Sequence, residues 1–350
     1  MKTEYISWSP IIGYREEELE HAAEVLRRGG LVAFPTETVY GLGGNGLQKE
    51  AAARIYAAKG RPSDNPLILH ISAREELDNI VQSIPEAAEK LMEKFWPGPM
   101  TLIFDKAGHV PYETTGGLET VAVRMPCHEA ARQLIAAASV PVAAPSANIS
   151  GRPSPTKAEH VREDMDGKID ILIDGGAVGI GLESTIVDMT VNPPTVLRPG
   201  DITIEQLAAV IGEVRMDPGL MLSGNTVRPK APGMKYRHYA PKGVMTIYEG
   251  EQKAVMTAIC REAARYPAEK VGILASEETA SGYSHGRVVV AGARKKHTVG
   301  RGLYDALRTF DHLGVEVILS ESFSGEEKSE AVMNRLVKAA GNNVVYVPGK

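Results

Sequence analysis

Six short words gather the side chains able to hold a phosphate, a ribose or a carboxylate. They are FPTETVYGLG (34–43), KGRPSDNPLILH (59–70), VAVRMPC (121–127), APSANISGRPS (144–154), LESTIVD (182–188) and VLRPGDI (196–202). The first four stand at predicted strand ends, where open α/β sheets bind ligands. Lys59 and Arg61 sit two apart in a Gly/Pro-rich turn, so both heads can point to one place. An ammionium beside a forked guanidinium suits a polyphosphate. Taken alone, the pair reads more simply as two solvated basic residues at a helix end. Ser146 and Asn148 share a face of extended chain, able to touch a ribose, a phosphate or a hydrated metal. Capping a helix or turn explains them about as well.

In the first word, hydroxyls and Glu37 follow a buried strand, with glycines at 41, 43 and 44. Those glycines allow close backbone approach to a ligand, and equally serve turns. His70 ends an apolar strand, where a satisfied core histidine is the usual reading. Arg124 is different: a lone Arg inside VAVRMP must be largely buried, and a buried guanidinium needs a carboxylate or phosphate. Arg198 in VLRPG repeats that logic. No P-loop, G-x-S-x-G or H-E-x-x-H word is present, so any phosphates must be held by scattered side chains. The residues alone indicate a concave site for one phosphate-bearing and one carboxylate-bearing ligand.

The elements that must position these residues fall into two halves. With 350 residues, two domains are expected, since one core stops growing before that size. Residues 1–212 alternate strands and helices irregularly, predicting an α/β domain with a mixed, twisted sheet. From 213 to 243 periodicity fades into Gly, Pro and basic residues, the pattern of a linker. Residues 244–350 alternate more regularly and predict a smaller Rossmann-like α/β domain. No G-x-G-x-x-G follows its first strand, and GRGLYD (300–305) reads as the opening of a helix, so no cofactor is expected there. Net charge is −5, giving no overall support for non-specific nucleic-acid binding. The two cysteines, Cys127 and Cys260, are far apart in sequence and fit a reducing cytosol. No signal peptide or membrane span is expected, and the protein reads as cytoplasmic.

In this order, the words resemble the Sua5/YrdC family of L-threonylcarbamoyladenylate synthases. FPTETVYGLG is similar to the family's opening signature, Lys59-Gly60-Arg61 to its K-x-R element and Ser146-Ala147-Asn148 to its S-x-N element. RPSDNPLILH, FWPGPMT, VRMP, STIVD and LRPG resemble further family wording. The linker word APGMKYRHYAP (231–241) and the second domain look like the longer, Sua5-type members. The resemblance implies that L-threonine, bicarbonate and ATP give threonylcarbamoyl-AMP and pyrophosphate. That product feeds N6-threonylcarbamoylation of adenosine-37 in tRNAs reading ANN codons, through downstream transfer proteins.

It also implies residue roles. Lys59, Arg61, Ser146 and Asn148 carry catalysis. With Ser63, Thr120, Ser154, Arg198 and Tyr236 they bind ATP. Thr36, His70, Arg124, Ala144 and Ser184 bind threonine. Mg2+ is implied as the cofactor, held through ATP phosphates and not by protein ligands alone. Two other readings compete: an RNA-binding module without adenylate synthesis, and a carbamoyl-transfer enzyme related to hydrogenase maturation.

A carbamate is labile in water, so its site must close during transfer. The linker word packs Tyr236, Arg237, His238 and Tyr239 together, unlike a solvated connector. It reads as a lid, with Tyr236 the first choice for contact with ATP; the plainer reading is that its rings dock the two domains. Deleting 231–241 is expected to abolish threonine-dependent pyrophosphate release while circular dichroism stays that of the folded chain. Full activity in the deletion would rule out the lid.

Overall fold

The structure is a computed structural model that describes residues 2–220, 231–232, 238–325 and 329–349. The chain divides into two compact units. One comprises Met1–Ser150, Ser154–Gly179 and Glu183–Lys235; the other comprises Tyr236–Lys350 with two short inserts, Gly151–Pro153 and Ile180–Leu182.

In the first unit the elements run β1 (Glu4–Ser7), α1 (Glu16–Arg27), β2 (Val32–Phe34), β3 (Gly41–Asn45), α2 (Lys49–Lys59) and β4 (Ile68–His70). Next come α3 (Glu86–Phe95), β5 (Met100–Asp105), β6 (Thr120–Arg124), α4 (Glu129–Ala138), β7 (Val142–Ala143) and α5 (Ala158–Met165). The unit ends with β8 (Ile171–Asp174), β9 (Thr185–Asp188), β10 (Thr195–Arg198), α6 (Ile204–Ile211) and β11 (Arg215–Met216). The strands form one sheet in the order β1-β8-β2-β3-β7-β4-β6-β5-β9-β10-β11. Parallel pairs such as β4/β6 and antiparallel pairs such as β5/β6 are mixed within it, as the irregular alternation predicts.

Strand alternation divides the core between the two faces. Val32, Phe34, Ile171 and Ile173 pack on one face with Ala22, Ala23 and Leu26 of α1 and Ala131, Leu134, Ile135 and Ala138 of α4. The helical spacing of those α4 residues forms a single apolar stripe. Leu31, Ala33, Leu69, Val123, Leu172 and Val187 belong to the larger core on the other face. On the α1/α4 face a separate small cluster lies further along the sheet: Ile68, Ala122, Ile103, Ile186 and Leu197, joined by Ala231.

One expectation is corrected. The glycines of FPTETVYGLG, open in the sequence to ligand approach or to turns, lie in a strand: β3 pairs antiparallel with β2, Gly41 opposite Phe34 and Gly43 opposite Val32. A Cβ on Gly43 would stand 2.8 Å from both the Phe34 ring and Val142. Glycine serves there to let large neighbours fill the core.

The second unit contains β12 (Val244–Gly250), α7 (Gln252–Ala263), β13 (Val271–Ser276), β14 (Arg287–Gly292), α8 (Val299–Leu313), β15 (Val317–Glu321), α9 (Ser329–Ala339) and β16 (Val344–Val347). Its sheet runs β14-β13-β15-β12-β16, every pair parallel. GRGLYD lies inside α8, as expected of a helical word. Gly302 is required there because a Cβ would stand 1.9 Å from the Ala291 carbonyl oxygen of β14. Around α8, the Tyr239 ring stacks on Tyr304 at 5.2 Å, Ala240 N–H donates to the Gly151 carbonyl, and Arg308 Nη2 donates to the Pro153 carbonyl at 2.7 Å.

The LRPG word shows how tightly the site's end of the first sheet is drawn. A Cβ on Gly200 would lie 2.3 Å from the Thr185 backbone nitrogen, and backbone cannot yield as a flexible side chain can. Gly200→Ala is expected to cost about 1–3 kcal/mol, read as a lower urea midpoint with unchanged slope.

Candidate functional site

The second word starts where α2 stops. Gly60 takes the left-handed conformation at φ 61° and ends the helix, placing Lys59 and Arg61 on either side of the turn. Lys59 is only 2% exposed, so the picture of a solvated basic residue fails. Its ammonium donates to the carbonyls of Ser146 and Asn148, the partners a buried cation needs. The Ser150 N–H donates to the Lys59 carbonyl at 2.9 Å. The K-x-R and S-x-N elements are therefore joined. Arg61 is directed elsewhere: Nε and Nη2 donate to the Asn65 and Pro66 carbonyls, at 3.2 and 3.0 Å, closing the RPSDNP turn. Ser63 is exposed on that turn.

Ser146 is half-buried and bridges Gly41 of β3, while Asn148 Nδ2 donates to the Ile149 carbonyl. Ser154, buried, donates to Glu183 Oε1 at 2.6 Å, linking the fourth word to the fifth. Arg198, also buried, links the fifth to the sixth. Its Nε donates to the Ser184 carbonyl, Nη2 to Ser184 Oγ, and Nη1 to the Pro232 carbonyl at 3.4 Å. Ser184 Oγ also lies 2.7 Å from Thr101 Oγ1.

Across the sheet, His70 of β4, Arg124 of β6 and Thr101 of β5 stand in register, so their side chains share one face. The buried guanidinium found there is as the lone Arg in VAVRMP predicts: Arg124 is 4% exposed. Its Nη2 lies 2.6 Å from Glu37 Oε1, Nη1 donates to Thr38 Oγ1 at 2.9 Å, and Nε donates to the Gly98 carbonyl at 3.2 Å. Thr120 begins the same strand, about 13 Å away along it, so the two are not brought together. Ala144 is buried, its N–H donating to the Ile68 carbonyl.

Of the two threonines in TETV, it is Thr38 that reaches Arg124. The Thr36 hydroxyl donates to the Val39 carbonyl at 2.6 Å and receives the Thr38 and Val39 N–H groups, so it shapes the turn. Glu37 and Thr38 were available as signals, since both lie inside the first word; alternation along a strand misses them because the segment is a turn.

Burial, followed by the nearby Arg124 charge, lowers the His70 pKa to about 3. The ring is thus neutral at pH 7. For Glu37, burial pushes the pKa up, but the Arg124 charge, with backbone N–H groups of Glu37 and Cys127 nearby, outweighs it and leaves the carboxyl below its usual range. Burial and that same carboxylate raise the Cys127 thiol to about 11, so it stays protonated at neutral pH. Among the described residues no group of three His, Cys, Asp or Glu is placed to hold a metal, and no helix is long and apolar enough to cross a membrane. Tyr236 and Arg237 lie outside the described residues.

Two family models match the chain: Sua5_yciO_yrdC, described as telomere recombination, over residues 24–200, and the C-terminal domain of threonylcarbamoyl-AMP synthase over residues 202–341. The threonylcarbamoyl-AMP synthase of Pyrococcus abyssi is 48% identical, covering 96% of this chain and 99% of its own. That of Bacillus subtilis is 47% identical, covering 99% and 100%. The crystal structure of P. abyssi Sua5 complexed with L-threonine matches with a TM-score of 0.92 at 47% identity, covering 99% of this chain and all of that one. The chain belongs to the Sua5/YrdC family, as a two-domain member of its threonylcarbamoyl-AMP synthases.

Proposed function

We propose that this protein converts L-threonine, bicarbonate and ATP into L-threonylcarbamoyl-AMP and pyrophosphate, supplying downstream proteins that threonylcarbamoylate adenosine-37 of tRNA. The observation that carries this reading is the buried Arg124, held at the end of β6 by Thr38 and Gly98. With Nε and Nη1 engaged by Gly98 and Thr38, its Nη2 suits one carboxylate oxygen. Threonine bound to a relative of matching fold supports that ligand.

The threonine amine and bicarbonate form a carbamate, whose oxygen attacks the α-phosphorus of ATP as pyrophosphate leaves. Such a transfer depends on positioning and charge neutralisation more than on covalent catalysis. Lys59 and Arg198 would lend positive charge to the triphosphate, Arg61 would act from the turn it closes, and Mg2+ carried on the phosphates would neutralise further charge. Ser146, Asn148 and Ser154, with Ser63 and Thr120 further out, fix phosphate and sugar. Arg124 takes the threonine carboxylate; Thr36, Thr38, His70, Ala144 and Ser184 shape the pocket for its amine and hydroxyl. A neutral His70 leaves Arg124 free of a second positive charge for a carboxylate to satisfy.

Closure falls to the linker. Ala231 packs on Ile68, Ala122 and Ile186, and the Pro232 carbonyl receives Arg198, so the lid's first residues rest beside the site's own arginine. Tyr239 stacks on Tyr304 within the second unit, which leaves Tyr236 as the choice for ATP. The reaction takes place in the cytoplasm.

The test is incubation with ATP, Mg2+, bicarbonate and each amino acid in turn, scoring pyrophosphate and the aminoacyl-carbamoyl adenylate. Threonine alone should support rapid turnover. Turnover with serine equal to that with threonine would overturn the pocket assignment. Salt-sensitive tRNA binding without pyrophosphate release would replace the reaction by the RNA-binding reading.

Substitutions separate the two ligands. Arg124→Ala should raise the KM for threonine by about 30-fold or more, as for loss of a buried charge partner, with the KM for ATP little changed. Lys59→Ala and Ser146→Ala should instead lower kcat/KM for ATP, by about 10-fold or more.

A further inference from the structure

Glu37 is 9% exposed, and the reading above gives it no task. Its Oε1 stands 2.6 Å from Arg124 Nη2, yet off the hydrogen-bonding direction. By hydrogen-bond geometry neither carboxylate oxygen has a partner, and neither has Arg124 Nη2, although the Glu37 and Cys127 N–H groups lie close to the carboxylate. Buried polar atoms left so are costly and rare. Here three of them, from groups of opposite charge, lie side by side. The rest of the guanidinium is held in place by Thr38 and Gly98.

We propose that Glu37 is a second substrate-binding residue, forming with Arg124 a clamp for a zwitterion: Arg124 Nη2 takes the α-carboxylate of the amino acid and the Glu37 carboxylate takes its α-ammonium. This rests on the assignment of the amino-acid carboxylate to Arg124. An arginine alone would bury the ammonium without a counter-charge, which is strongly unfavourable. With Glu37 present, loading exchanges one badly aligned ion pair for two, and the site stays neutral throughout. Both Glu37 oxygens are closed to solvent, so the ligand enters as the Glu37 carboxylate swings off Arg124 Nη2, while Thr38 and Gly98 keep the guanidinium in place.

The clamp also gives direction to the chemistry. Ammonium and bicarbonate yield carbamate, water and one proton, which passes to solvent. The nitrogen thereby loses its positive charge and gains an anionic group. Glu37 changes from partner to repellent, and the carbamate is driven off it toward the triphosphate. A contact favourable before carbamoylation and unfavourable after it favours onward reaction.

The test is calorimetric binding of two probes to the full chain: L-threonine, and the hydroxy acid in which a hydroxyl replaces the ammonium. Wild type should favour threonine by about 30-fold or more. Glu37→Gln should lose most threonine affinity, bind the hydroxy acid more tightly than wild type does, and bring the ratio to about 3 or less. ATP binding should stay within about twofold of wild type. A merely structural role for Glu37 would weaken both probes together. The proposal is overturned if folded Glu37→Gln keeps the wild-type ratio, or if wild type binds both probes alike; the second outcome decides even where the variant does not fold. Failure of wild type to bind threonine at all would instead remove the reading on which the clamp rests.

Discussion

An ammonium withdrawn from water has to be met by oxygen, and at Lys59 that requirement organises the site. Its two acceptors are main-chain carbonyls of Ser146 and Asn148, so the demand falls on the path of the backbone and not on a side chain that can swing aside. The loop after β7 must pass the end of α2. Further contacts pin it on its other side: the Ala147 N–H donates to the Tyr40 carbonyl, and Ser146 bridges Gly41. The loop is thus wedged between a helix end and the start of β3, and the turn that carries Glu37 and Thr38 toward Arg124 lies just ahead of that strand.

The residues assigned to the two proposed ligands are positioned by different means. Of the residues assigned to ATP, Ser146 and Asn148 sit on a loop held by backbone hydrogen bonds, while Lys59 ends α2 and Arg198 ends β10. The carboxylate-type residues sit at strand ends, where register fixes His70, Arg124 and Thr101 side by side. Strand-borne groups are placed more rigidly than loop-borne ones.

Much of this was legible in the sequence, for identifiable reasons. Helices such as α4 and α8 declared themselves by apolar spacing, and Arg124 by being a charge in an apolar strand. The S-x-N and K-x-R words stood out through the family resemblance, since capping and solvation explained them as well when each was taken alone. What could not be read was pairing. Nothing local says that Lys59 turns to carbonyls 87 residues away, or that Arg61 turns back onto its own loop. β3 was missed because Gly-rich sequence signals turns by propensity, whereas packing against Phe34 and Val142 decided its conformation. Thr36 and Thr38 are alike in type, and only the turn's geometry separates the one that shapes it from the one that meets the guanidinium.

The second unit is not a continuous stretch of sequence. It includes Gly151–Pro153 and Ile180–Leu182, the first beginning three residues after Asn148. No single cut in the chain can therefore excise it whole. A truncation after the linker would leave both inserts in the shorter product, with the Pro153 carbonyl deprived of Arg308. Such a fragment would be a chain with a re-solvated edge next to its S-x-N loop, and its properties would report that injury as well as the missing sheet. Swapping C-terminal halves between relatives meets the same difficulty: the inserts and α8 form one packed surface, and they must be exchanged together.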